Sequence, residues 1–233
     1  MRAKPARNRR FVTLFDVDGP LRTASASLAK FLLGKGLFTE HAYKKCVQDV
    51  ELSKAKKITY RQITDRISNH WAEGLKGQNP VMVRKVLEEF VQTPELMNAH
   101  TYARELVERM NQRGATIAIT GQPQELAEAF MKVLPFSMAF GSEFEVKNGR
   151  YTGRRKTNMA LAKKAVVREL KKHPNIWGKM SYGFGDRTTD KEMLELVRKP
   201  IALNPDKKME RLAKRKGWPI VHGKQILRRI RKL

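Results

Sequence analysis

FVTLFDVDGPL occupies residues 11–21. Its opening FVTLF (11–15) is an apolar run rich in β-formers, the pattern of a buried strand. An acidic turn containing Gly19 follows at once, so the strand ends in a loop. Asp16 and Asp18 stand two residues apart on that turn, and two carboxylates so placed can share one site. In α/β sheets, ligands gather beyond the carboxyl ends of strands.

The same order, strand then reactive turn, returns twice. AITGQP (118–123) offers the Thr120 hydroxyl and the Gly121 amide just ahead of a helix N-terminus, a natural seat for phosphate. GFGDRTTD (183–190) carries Asp186 and Asp190 at the end of another strand. Between the first two turns the chain is helical. Leu28, Phe31, Leu32 and Leu37, then Ile63, Ile67, Trp71 and Leu75, then Val83, Val86, Leu87, Phe90 and Val91 recur at helical spacing.

Beyond this block strands and helices alternate. The spacing predicts a helix over 101–112 closed by Gly114, a strand over 115–120 and a helix over 123–133. A hairpin centred on Asn148-Gly149 follows, then a helix over 159–172, a strand over 180–185 and a short helix over 191–197. A strand over 201–203, a helix over 207–216 and a strand over 219–221 complete the pattern. Alternation of this kind implies an α/β fold: a three-layer α/β/α Rossmann-like core with a mostly parallel sheet covered on both faces. The helical block is then an inserted helical cap. The expected division is 1–22 and 97–233 for the core and 23–96 for the cap.

A hydrophobic share of 41% argues against wholesale disorder. No apolar run approaches the roughly 20 residues of a spanning helix. The basic start MRAKPARNRR meets too short an apolar run to be a signal peptide, so no transmembrane segment and a cytoplasmic location are expected. The single Cys46 excludes an internal disulfide and a cysteine metal cluster. A net charge of +25 attracts polyanions: nucleic acid, anionic membrane or phosphorylated substrates. The charge gathers at the ends, in a basic arm over 1–10 and again from Lys207 onward. In KQILRRIRKL (224–233), Ile226, Leu227, Ile230 and Leu233 share one helical side and Arg228, Arg229, Arg231 and Lys232 lie largely elsewhere. Two readings stand: a terminal helix docked by its apolar side, or a weak anchor for nucleic acid or anionic membrane.

The three turns, in this order, resemble the motifs of the haloacid-dehalogenase-like (HAD) phosphatase superfamily, and the likeness runs through nearly the whole chain. FDVDG (15–19) is similar to its Asp-x-Asp-Gly motif, IAIT (117–120) to its strand ending in Ser or Thr, and GDRTTD (185–190) to its Gly-Asp-x-x-x-Asp. NGRYTG (148–153), EMLELVRKPIALNPD (192–206) and LAKRKGWPIV (212–221) look like the phosphoserine-phosphatase-like branch, subfamily IB. The family's remaining motif is a lysine near the start of the preceding helix. Lys156 and Lys163 both compete for it, and the spacing in relatives favours Lys163.

The resemblance implies a Mg²⁺-dependent phosphatase. Asp16 would attack phosphorus and carry an aspartyl-phosphate, and Asp18 would serve as acid and then base. Thr120 and the Gly121 amide would hold the phosphoryl oxygens, and Lys163 would add positive charge. Asp16, Asp186 and the backbone carbonyl of Asp18 would ligate the metal, with Asp190 positioning Lys163 or metal-bound waters. This meets a physical need, because an anionic nucleophile cannot approach a phosphate dianion unless charge is offset.

The sequence departs from the family pattern at two points: Pro20 stands where relatives usually have Thr, so the loop loses a backbone donor, and Arg187 stands where a small residue is common. Phosphoserine phosphatases usually place a Glu soon after the first motif. LRTASASLAKF (21–31) has none, which disfavours free phosphoserine and leaves Arg22, Ser25 and Ser27 to line the entrance. The expected substrate is a phosphorylated small molecule. The alternatives are phosphoryl transfer to an acceptor other than water, and a phosphatase-like module bound to nucleic acid or membrane by its basic ends.

Overall fold

The structure, a computed structural model, describes residues 11–23 and 27–231. The basic arm, Ser25 and Leu233 lie outside the described residues, as does the side chain of Ser27. One sheet holds β1 (Phe11–Phe15), β2 (Gly114–Pro123), β3 (Met138–Lys147), β4 (Arg150–Thr157), β5 (Met180–Gly185), β6 (Lys199–Leu203) and β7 (Ile220–Val221). Their order is β4-β3-β2-β1-β5-β6-β7, parallel throughout except for the antiparallel pair β3 and β4. The chain winds outward from β1 first to one side and then to the other, and the reversal creates the switch point at which such sheets bind ligands.

Between β1 and β2 lie α1 (Ser27–Gly34), α2 (Glu40–Lys54), α3 (Tyr60–Gly74), α4 (Pro80–Gln92), α5 (Pro94–Met97) and α6 (Ala103–Arg113). After β2 come α7 (Gln124–Val133), α8 (Met159–Lys171), α9 (Lys191–Leu194), α10 (Lys207–Lys216) and α11 (Gln225–Ile230). The period of two along each strand sorts side chains between two cores. Phe15, Ala118, Tyr182 and Phe184 pack with α6, α7, α11 and the inserted helices. Val12, Leu14, Ile117 and Ile119 pack with α8, α9 and α10. The outcome is the expected three-layer α/β/α arrangement.

The inserted helices carry local signals that agree with their tertiary packing. Thr59 caps α3 in a reciprocal box with Gln62, and Asn79 caps α4 with Pro80 in its first turn. The α4 stripe Val83, Val86, Leu87, Phe90 and Val91 is wholly buried, and each such large side chain contributes about 1.5–3 kcal/mol. Arg155 of β4 reaches Asp65 of α3 at 2.9 Å, and Arg84 of α4 reaches Glu128 of α7 at 2.7 Å. These contacts tie the inserted helices to β4 and α7, and the ring of Tyr60 at the start of α3 lies 5.0 Å from the guanidinium of Arg187, just beyond β5.

Several boundaries differ from the sequence reading. Gly114 closes α6 as expected, but with an extended φ of 173°, so that the same residue also begins β2. A Cβ there would fall on the carbonyl of Phe11, so the close pairing of β2 with β1 requires glycine. β3 starts at Met138, pairing with β2 before it turns back at Asn148-Gly149. The short helix after the third turn is a 3-10 turn (Thr188–Asp190) followed by α9, and β6 begins at Lys199. At the C-terminus, Ile226 and Ile230 are fully buried, and Arg113 donates to the carbonyl of Ile230 at 2.7 Å. The docked-helix reading therefore holds for α11, and its apolar side is not available to a membrane. No helix among the described residues is long and apolar enough to cross one.

Candidate active site

Phe15 is in register with Ala118 and with Phe184. Asp16 and Asp186 therefore follow their strands at the same edge of the sheet, beside Thr120 of β2, and the Asp16 amide donates to the carbonyl of Phe184 at 2.9 Å. Gly19 has φ +108°, and a Cβ on it would fall on the Asp186 carboxylate. The turn needs glycine both for its backbone and for this approach of the two motifs.

Lys163 projects from the buried face of α8 and is 3% exposed. Its Nζ donates to Asp16 Oδ1 at 2.7 Å and to Asp190 Oδ1 at 2.6 Å. Asp190 Oδ2 accepts from the amides of Asp186 and Arg187 at 3.0 and 3.1 Å. Lys156 is exposed on β4, so Lys163 is the lysine that reaches the carboxylates.

Carboxylate oxygens of Asp16, Asp186 and Asp190 lie within 4.8 Å of one another. Burial, then the charge of Asp190, pushes Asp16 up to about 7. Burial, then Asp16 and Asp190, pushes Asp186 up to about 9. Burial opposes the Lys163 ammonium, but Asp16 and Asp190 outweigh it and raise its pKa. Among the described residues Asp186 Oδ1 is buried with no hydrogen-bond donor, an arrangement that costs free energy unless something positive meets it. Hard oxygen donors, surplus negative charge and an orphaned oxygen together fit a hard divalent cation.

Thr120 is fully buried, and its Oγ1 accepts from the Gln122 amide at 3.2 Å. Gly121 is exposed, and its carbonyl accepts from the Ser142 hydroxyl at 2.8 Å. β2 runs through Gly121, Gln122 and Pro123, so α7 starts later than the sequence suggested, at Gln124.

Asp18 is gripped from two sides. Arg22 Nη1 donates to its Oδ1 at 2.6 Å and Gln122 Nε2 to its Oδ2 at 2.7 Å. Arg22 does not line the entrance as expected: it is 1% exposed, drawn inward by that carboxylate. The loop closes without a donor at Pro20. The amides of Leu21 and Arg22 both donate to the carbonyl of Val17, and the carbonyl of Pro20 accepts from Tyr102 Oη at 2.7 Å.

Arg187 leans over the site, its Nε 3.4 Å from Asp186 Oδ2 and its guanidinium 5.0 Å from the Tyr60 ring. Tyr60 opens α3 and brings the inserted helices to the site, where burial pushes its phenol up to about 12. A cleft of about 330 Å³, bordered by Thr23, His100, Arg187 and Asn204, opens against Gly19. Sequence reasoning missed Tyr60 and Gln122, because a lone aromatic at a helix start and an amide in a turn carry no signal of their own.

The profile described as "HAD: haloacid dehalogenase-like hydrolase" matches residues 13–195. Phosphoserine phosphatase SerB1 of Mycobacterium tuberculosis is 27% identical over 216 residues, covering 88% of this chain and 68% of that protein. A solved Bordetella pertussis protein of unknown function superposes with a TM-score of 0.73 at 21% identity, over 92% of this chain and 99% of that one. A phosphoserine phosphatase solved as an analogue of its phospho-aspartyl intermediate gives 0.64 at 18% identity, over 97% of this chain and 99% of that one. At these identities the two superpositions speak for the fold.

Proposed function

The chain belongs to the haloacid dehalogenase-like hydrolases, as a phosphatase of the phosphoserine-phosphatase-like branch, and we propose that it hydrolyses a phosphorylated small molecule through an aspartyl-phosphate on Asp16, with Mg²⁺ as cofactor. The observation that carries this reading is Lys163, held between Asp16 and Asp190 in a buried cluster with the orphaned Asp186 Oδ1. Asp16, Asp186 and the backbone carbonyl of Asp18 would hold Mg²⁺, which when bound offsets negative charge on the phosphoryl oxygens.

An oxygen of Asp16 forms the bond to phosphorus while the bond to the leaving oxygen breaks, and Asp18 passes a proton to that oxygen. Asp18 then takes a proton from the water whose oxygen displaces Asp16 from phosphorus, which regenerates both carboxyl groups. Lys163 keeps Asp16 oriented and offsets its charge, and Asp190 fixes Lys163. Thr120 and the Gly121 amide hold phosphoryl oxygens.

Residues 23–96 act as the lid, with Tyr60 as its contact to the site, and closure excludes bulk water. The absence of a Glu over 21–31 disfavours free phosphoserine. Arg187 suits a substrate carrying a further anionic group near the phosphate.

The test is Mg²⁺-dependent phosphate release from p-nitrophenyl phosphate, followed by a screen of phosphorylated metabolites, nucleotides included. Running the assay with added alcohols separates hydrolysis from transfer. No metal-dependent release from any monoester would sink the reading.

A further inference from the structure

Arg22 has no part in the chemistry described so far, yet it is among the largest fully buried side chains of the protein. A guanidinium taken out of water is costly unless every face is compensated. Here Nη1 meets Asp18 Oδ1 at 2.6 Å, Nε donates to the carbonyl of Met97 at 2.8 Å, and Nη2 approaches the carbonyl of Leu96 at 3.4 Å. The rings of Phe90 and Phe130 lie 5.8 and 5.9 Å from the guanidinium carbon, close enough for cation–π attraction. The two carbonyls belong to the last turn of α5, where the inserted helices return to the core. The two crossing strands of chain are paired as well: the Thr23 amide donates to the carbonyl of Asn98 at 3.1 Å and the His100 amide to that of Leu21 at 2.9 Å.

We propose that Arg22 is a positioning residue: its guanidinium, anchored on the Leu96 and Met97 carbonyls and helped by Gln122, holds the Asp18 carboxyl group in the orientation from which it exchanges a proton with the leaving group. A carboxylate has about four lone-pair sites, and Arg22 and Gln122 occupy one on each oxygen. The group's plane is thereby fixed while acceptor capacity remains on each oxygen for the proton. An Asp side chain freed from these bonds rotates about its χ torsions and spends less time aligned. Lysine cannot replace the fork, because one ammonium on a flexible stem does not span Asp18 and two carbonyls at once. Since the anchor sits where the inserted helices rejoin the core, the same bonds tie the orientation of Asp18 to the seat of those helices.

The inference rests on the proposed acid role of Asp18, so the experiment separates the two. kcat/KM is measured for wild type, Asp18→Asn and Arg22→Lys on p-nitrophenyl phosphate, whose leaving group departs without a proton, and on an alkyl phosphate, whose leaving group needs one. In Arg22→Lys, kcat/KM for the alkyl ester should fall by roughly 100-fold, the scale of a lost proton transfer, and that for the aryl ester by far less. A residue that merely packs would lower both alike or neither. If Asp18→Asn shows the split and folded Arg22→Lys does not, the positioning role is overturned and the mechanism stands. If Asp18→Asn shows no split, both fall. Far-UV circular dichroism checks folding. Should Arg22→Lys not fold, Gln122→Leu decides, since it loosens Asp18 without disturbing a buried charge: the same split supports the proposal, and equal loss on both esters overturns it.

Discussion

The Lys163 ammonium lies 2.7 Å from Asp16 Oδ1, although 147 positions separate the two residues in the chain. Nothing local joins them; β1 and α8 meet only because the sheet closes over their shared core. Lys163→Met should lower kcat by about 100-fold or more, the scale of losing a preorganised charge-stabilising donor. Exposed Lys156→Ala should change it little. Steady-state kinetics beside a melting curve would show whether activity is lost without loss of the fold.

Asp16→Asn removes the attacking oxygen's charge and keeps the shape. Turnover should vanish while the circular dichroism spectrum stays that of wild type. BeF₃⁻, which imitates a phosphoryl group on a carboxylate, should inhibit the wild type and not the variant. A variant retaining a tenth of the activity would rule out the aspartyl-phosphate.

Metal and pH should act together on stability. Asp16 and Asp186 start from 3.8 and rise to about 7 and about 9 in the fold. Between those limits the folded, metal-free protein binds more protons than the unfolded chain, so its stability falls as pH rises. Around these carboxylates stand Lys163, Asp190, Asp18, Arg187 and Tyr60. Lys163, with its own pKa raised, stays charged across the window and does not reverse the sign. A divalent cation relieves the repulsion, so the gain in thermal midpoint on adding Mg²⁺ should be larger at about pH 8.5 than at about pH 5.5. Equal gains at both pH values, or the same trend in Asp186→Asn, would contradict this account.

The C-terminal helix should behave as core. Ile226 and Ile230 are fully buried against the face that holds α6. Ile226→Ala should destabilise by about 2–5 kcal/mol, read as a lower urea midpoint with unchanged slope. Truncation before Gln225 should therefore impair folding, not merely remove basic charge.

Much of the fold was legible because its signals are local. A strand's apolar run, the glycine turn that ends it and the helical spacing of Val83, Val86, Leu87, Phe90 and Val91 are all complete within a dozen residues or so of chain, and the buried side of each element follows from its period. The order of the turns holding Asp16, Thr120 and Asp186 was legible for the same reason, and α/β winding sends strand ends to one edge. Spacing in relatives favoured Lys163 over Lys156, but which lysine is drawn inward depends on how α8 lies on the sheet. Arg22 was misread as an entrance residue. Its partners are Asp18, four positions away, and the Met97 carbonyl, 75 positions away. A side chain that exchanges water for partners so far along the chain leaves no periodic trace, because its burial is set by where the inserted helices return and not by its neighbours in sequence.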